Sequence, residues 1–249
     1  MNRTVVTDAI VLAVRDTVHA DRSVTLFSLQ KGKIRAIAHG ARLGKSRLGG
    51  CLQPFSAVCV SLVEEVHQPA IITQCEVRQS FRKVRENIER LSYGSLLTEL
   101  VNELWLEGDQ APEVYHTLVG AFETLTSRNP RLTALACGWK LLDLAGLGPQ
   151  YDYCQSCGSE VAADGSFGLH QGGAVCCHCK GDSMPPFTPQ MADLLSTLLN
   201  LNWKQPGEFK VNEKTLCSLE SLFENYVAYH VAKQLKSFAF IRQMSNCPT

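Results

Sequence analysis

No stretch of this 249-residue chain reaches the 18 or more uninterrupted apolar residues that a membrane-spanning helix requires. The opening MNRTVVTDAI lacks the charged leader and continuous apolar run of a secretory signal, and Asp16, Asp21 and Arg22 soon interrupt the apolar residues after it. Net charge is missing too: 24 lysines and arginines balance 24 aspartates and glutamates, so total charge argues neither for nor against a polyanionic partner. Aromatic residues make up only 8% of the chain, which leaves few rings for stacking on bases. There is no G-x-S-x-G elbow and no H-E-x-x-H helix, and the seven histidines are scattered. His19, His67 and His116 read as solvated or capping residues, and His230 as a satisfied, partly buried one. What remains is the composition of a globular cytosolic protein with reduced thiols, nucleoid-associated if it binds DNA. Its eleven cysteines then read as buried hydrophobes and metal ligands.

A neutral total conceals an uneven distribution. Lys31, Lys33, Arg35, Arg42, Lys45 and Arg47 lie in a run without any acid, whereas residues 99–123 carry acids and no lysine or arginine. Inside the basic run His39 to Gly50 reads HGARLGKSRLGG, close to the loop that cradles phosphates in nucleotide hydrolases. Only three residues separate Gly40 from Gly44, one short of that motif. The later glycines and Pro54 oppose the helix it needs. Phe27 and Phe55 are the nearest rings, each as well suited to a core as to a base.

Residues 9–15, 23–30, 33–39, 55–64 and 70–79 show partial period-2 alternation of branched and aromatic residues, which predicts five strands. Gln30-Lys31-Gly32-Lys33 predicts a hairpin between the second and third. Five short strands with one glycine-rich connection suit a small barrel, of OB-fold type in preference to an SH3-like one. From Ile88 the apolar period changes to three and four, through Leu91, Ser95, Leu97, Leu100, Val101 and Leu104. Pro112, Asn129-Pro130 and Thr188-Pro189 open further helices, and a long one is expected over residues 213–242. The expected organisation is α+β: a five-stranded OB-fold barrel over residues 1–80 and an all-α domain over 81–249. Residues 150–182 form a four-cysteine, zinc-ribbon-like insertion within the latter.

In that insertion Cys154 and Cys157 are followed after eighteen residues by Cys176 and Cys179, a C-x2-C-x18-C-x2-C pattern within the range of zinc ribbons. A two-residue gap lets both sulfurs of a knuckle face one ion, and a second knuckle completes the tetrahedron. Cys177 or His178 could stand in for a ligand, but only Cys176 and Cys179 repeat the first gap. Four thiolates leave no position for a reactive water, so one structural Zn2+ per chain is expected. A zinc deaminase would need an H-x-E triplet, which the chain lacks.

HGARLGKSRLGGCLQPF, LLDLAGLGPQYDYCQSCG and GGAVCCHCK, together with the order of barrel, helices and cysteine insertion, resemble the bacterial RecO family of recombination mediators. YHVAKQLKS, from Tyr229, is a weaker likeness. The resemblance implies a protein without enzymatic activity that binds single- and double-stranded DNA and anneals complementary strands. It also implies action with RecR and single-stranded-DNA-binding protein to help RecA load. On that reading Lys31, Lys33, Arg35, Arg42, Lys45 and Arg47 meet phosphates, and the glycines keep the loop thin and mobile. The alternatives are a zinc-ribbon and barrel protein that binds RNA or protein, and a nucleotide hydrolase that uses the GKS loop.

Overall fold

The computed structural model describes residues 3–64, 69–161, 165–203, 205, 207 and 210–244. All five expected strands form: β1 (Arg3–Asp16), β2 (Arg22–Ser28), β3 (Gly32–Ala38), β4 (Ala57–Glu64) and β5 (Ala70–Gln79). They close into a barrel in the order β1-β2-β3-β5-β4. β1 spans both halves, pairing antiparallel with β4 over Arg3 to Ile10 and with β2 over Ala9 to Asp16. Closure comes from a parallel pair, Ala36 opposite Ala70 and Ile37 opposite Ile71. This order, with β3 parallel to β5, is that of an OB-fold. Alternation puts Ala9, Val11, Val24, Leu26, Ala36, Val58, Val60, Leu62 and Ile72 into the core, small residues beside branched ones.

Two compact units divide the chain, Met1–Pro130 and Arg131–Thr249. In the first, the barrel is joined by α1 (Arg47–Cys51), α2 (Arg82–Arg85), α3 (Ile88–Leu104) and α4 (Pro112–Leu125). Phe55 and Phe81 both pack on Phe122 of α4, at centroid distances of 5.3 and 5.6 Å. Phe27 meets Trp105 edge-on at 6.1 Å. Both Phe27 and Phe55 are buried, so they serve the core and are not stacking platforms. Arg85 donates to the carbonyls of Pro54 and Ser80 and so fixes the approach to α3.

The apolar stripe of α3 is broader than its sequence period indicates. Ile88 is exposed, while Tyr93, Leu96, Leu97, Leu100 and Val101 are buried, because the helix lies against both β1 and α4. Gly32 is needed twice over at the β2–β3 turn. Its φ is +64°, and a Cβ there would stand 1.6 Å from the carbonyl oxygen of Asp109. The chain past α3 runs along β3 here, with Gly108 N–H donating to the Lys33 carbonyl at 3.0 Å.

In the second unit are α5 (Pro130–Leu144), β6 (Ser166–Gly168), β7 (Gly173–Val175), α6 (Pro189–Leu199), α7 (Glu213–Val231) and α8 (Lys236–Met244). Its core is aromatic: Trp139 meets Phe223 at 5.1 Å and Tyr226 at 5.5 Å. Arg131 clasps Glu220 through two hydrogen bonds of 3.0 and 2.6 Å, which ties α5 to α7. The single helix expected over residues 213–242 is two. Ala232 takes a left-handed φ of 55°, and the chain then turns so that Leu235 and Phe238 are buried.

His230 departs from its expected satisfaction. It lies beside the rings of Tyr226 and Tyr229, and its Nε2 has no hydrogen-bond partner among the described residues. Burial lowers its pKa, which favours the neutral ring. His67 lies outside the described residues. No helix among the described residues is long and apolar enough to cross a membrane.

Candidate metal centre and nucleic-acid interface

The cysteine insertion folds around the short β6–β7 hairpin. Gly172, at φ +71°, makes its turn, and a Cβ on Gly173 would lie 2.2 Å from the Gln150 carbonyl, so that backbone can approach. Ala174 N–H donates to that same carbonyl at 2.7 Å, and Gln155 N–H donates to the Ala174 carbonyl at 2.9 Å. These bonds bring the first knuckle beside the second. Gly158, at φ +75°, closes the first knuckle by donating to the Cys154 carbonyl at 2.8 Å, and Cys179 N–H closes the second on Cys176 at 3.0 Å.

The sulfurs of Cys154, Cys157, Cys176 and Cys179 all lie within 4.8 Å of one another, a set that can hold a metal ion. Cys157 and Cys176 are 3.7 Å apart, close to the edge of about 3.8 Å that a zinc–thiolate tetrahedron requires. Cys177 and His178 contact each other at 3.4 Å and stand outside the cluster. Desolvation opposes ionisation of Cys154, but the N–H groups of Cys176, Ser156 and Cys157 outweigh it and bring the thiol down to about 6. Hydrogen bonds to Cys157 and Cys176, with burial, push Cys179 up to about 12. Four sulfurs packed this closely cannot all shed their protons unless a cation compensates them. Nine of the cysteines among the described residues carry no disulfide, the four of the cluster included.

In the first unit, the outer face of β1, β2 and β3 is set by register. Arg15 faces Ser23, and Ser23 faces Ile37; in the next row Ala13 faces Thr25, and Thr25 faces Arg35. The six cations of the basic run differ in their surroundings. Lys33 is buried, and its Nζ donates to the Asn102 carbonyl in the last turn of α3 at 2.6 Å. Desolvation, then Arg35, lowers its pKa, and nearby Glu103, Glu107 and Asp109 counter them. Lys31 pairs with Glu64, and Arg35 with Glu107. Arg42 reaches Asp16 at 3.3 Å and the Thr17 carbonyl at 3.3 Å. Lys45 and Arg47 are exposed, with no side-chain partner among the described residues. Arg15 is in the same condition, and its place on the outward alternation of β1 with Ala13 could have revealed it in the sequence.

The loop from His39 to Gly50 is more ordered than its glycines imply. Leu43 N–H closes one turn on the Gly40 carbonyl at 3.0 Å, and Ser46 N–H closes the next on Leu43 at 2.8 Å. Arg42 N–H donates to the Ala20 carbonyl at 2.9 Å, and Arg22 donates to the Gly49 carbonyl at 3.1 Å. α1 begins immediately afterwards, although glycine opposes it by about 1 kcal/mol per residue. Leu48 and Leu52 pack on the barrel core, and a Cβ on Gly49 would lie 2.2 Å from the Ala41 carbonyl. Close packing therefore explains both the helix and Gly49. Gly44 is different: φ is not left-handed there, and nothing lies within 4 Å of where its Cβ would stand.

Asp21 anchors the loop, accepting Gly40 N–H at 2.7 Å and meeting His39 Nδ1 at 2.8 Å. The Gly40 N–H, and then His39, hold its carboxyl below the usual aspartate range. A depressed value means that the anchor is intact above the ordinary aspartate pKa and is lost as pH falls through the lowered one. In an NMR titration the Gly40 amide is therefore expected to shift with a midpoint below about 3.9. A midpoint at or above that value would show that Asp21 does not hold the loop.

Residues 1–81 match the family model described as Recombination protein O N terminal, and residues 85–239 the model described as Recombination protein O C terminal. A protein named DNA repair protein RecO from Desulforamulus reducens is 31% identical over 242 residues, covering 95% of this chain and 93% of that one. Its namesake from Pelotomaculum thermopropionicum is 31% identical over 243 residues, with 97% and 94% coverage. That from Geobacter sulfurreducens is 30% identical over 242 residues, with 96% and 97% coverage. Two family models that between them take in barrel, helices and cysteine insertion leave one conclusion: the chain belongs to the recombination protein O family.

Proposed function

We propose that the protein serves DNA repair and recombination as a mediator that binds single- and double-stranded DNA and anneals complementary strands. The observation that carries this is the set of cations Arg15, Lys45 and Arg47, without side-chain partners among the described residues, on an OB-type barrel in a chain whose relatives are named DNA repair proteins. Annealing needs no covalent chemistry, because it requires only that two polyanions approach with their repulsion screened. Lys45, Arg47 and Arg15 would displace counterions from phosphates directly, and Arg35 and Arg42 would do so after exchanging their carboxylate partners for phosphate. Lys33 instead holds β3 to α3, and Lys31 holds Glu64.

Residues 1–80 act on this reading as the DNA-binding barrel, 81–249 as the helical domain, and 150–182 as the insertion in which Cys154, Cys157, Cys176 and Cys179 hold one structural Zn2+. RecR and single-stranded-DNA-binding protein are the proposed partners, in the cytoplasm at the nucleoid, with RecA loading as the outcome. Fluorescently paired complementary oligonucleotides should anneal faster with the protein than without it, and the acceleration should fade steeply between about 50 and about 300 mM salt. Acceleration that is absent, or flat with salt, would sink this reading.

A further inference from the structure

Leu43 lies at the shared corner of the two turns in the basic loop, 61% exposed. A lone exposed leucine is ordinary on a protein surface. This one is held by its own backbone, since its N–H closes the first turn and its carbonyl accepts the hydrogen bond of the second. Arg42 and Lys45 flank it closely, and Arg47 is four residues on. Beside it Gly44 leaves open space where folding requires none, so a ligand's backbone can pass close to the loop there.

We infer that Leu43 is an apolar wedge, which enters the base stack of a DNA strand whose phosphates are held by Lys45 and Arg47. The inference rests on the DNA-binding reading and adds a contact to the bases. Cations on long side chains reach phosphates and leave the bases untouched. The Leu43 side chain lies over Gly40, where a Cβ would meet its Cδ1 at 3.1 Å, and its remaining apolar surface can leave water only against an incoming ligand, for which the faces of bases are apolar. Separating one base step carries a cost that is least where bases are already unpaired, so the wedge favours single strands and frayed ends. A strand held with one step opened presents its pairing edges to a complement.

The test uses the full-length protein and a single-stranded oligonucleotide that carries 2-aminopurine, whose fluorescence rises on unstacking. The parent should raise the fluorescence. Leu43→Ser should bind about tenfold more weakly, with an unchanged salt slope, and should lose most of the rise. Leu43→Met keeps the apolar reach and should retain it. If Leu43→Ser keeps the full rise while Lys45→Ala with Arg47→Ala weakens binding, the wedge is overturned and DNA binding stands. If Leu43→Met loses the signal as completely as serine does, apolar character is not the cause and the wedge is likewise overturned. A parent that binds no oligonucleotide overturns both.

Discussion

Replacing Cys154 and Cys157 together with serine is expected to empty the metal centre, taking zinc content from about one per chain to none. The two remaining thiolates cannot complete a tetrahedron. Metal binding and folding are coupled in closed thiolate sites, where the apparent binding free energy is on the order of 10 kcal/mol. The two knuckles, residues 154–158 and 176–179, have little else to order them, whereas Phe167 in the hairpin between them is buried against Phe187 and Tyr226. Their hairpin is three residues on each side, and the buried cluster there consists of Cys154, Val175 and Cys176 with a few partly buried neighbours. Amide hydrogen exchange in the knuckles should rise to nearly unprotected rates, while the barrel, which lies in the other compact unit, keeps its protection. Elemental analysis is the deciding measurement. A double variant with the parent's zinc content, or a parent with none, would remove the metal centre.

Changing Arg15, Lys45 and Arg47 together to alanine is the second large effect. Each phosphate contact contributes about 0.7 to the slope of log affinity against log salt for single strands, so three contribute about 2. At about 0.1 M salt that corresponds to roughly a hundredfold weaker binding. Stability should change by no more than a few tenths of a kcal/mol per site, because all three side chains are exposed and have no partner among the described residues. Binding titrations at several salt concentrations, with a melting curve as control, separate the two. An unchanged slope in a folded variant would assign these cations to a protein partner.

The sequence made the barrel legible because period-2 alternation is a direct image of inside and outside, and each strand has a core face to report. It made the cysteine knuckles legible because their spacing is itself the ligand geometry. What it hid was decided by contacts between distant residues. Nothing local separates Lys33 from Lys45, since both sit beside glycine in a basic run. Only the fold brings the end of α3 to Lys33 and leaves Lys45 in water. α1 was invisible for a similar reason: its glycines argue against a helix, and its stability comes from Leu48 and Leu52 reaching a core built by other strands. The break at Ala232 is likewise a tertiary choice, made to bury Leu235 and Phe238.

The length of β1 bears on how the protein is made. Its first half pairs with β4, Arg3 opposite Glu64, so the earliest strand to leave the ribosome waits for one of the last strands of the barrel. At about 5–20 residues per second, the synthesis of residues 17–64 takes roughly 2 to 10 s. During that interval the β2–β3 hairpin can form and cover one part of β1, but the other edge stays unpaired, with Val5, Val6 and Ile10 along it. A nascent chain stalled before residue 57 would present that apolar edge to its neighbours on the same polysome. Closing the barrel thus requires pairing across a long stretch of chain, which slows folding relative to a fold built from local contacts.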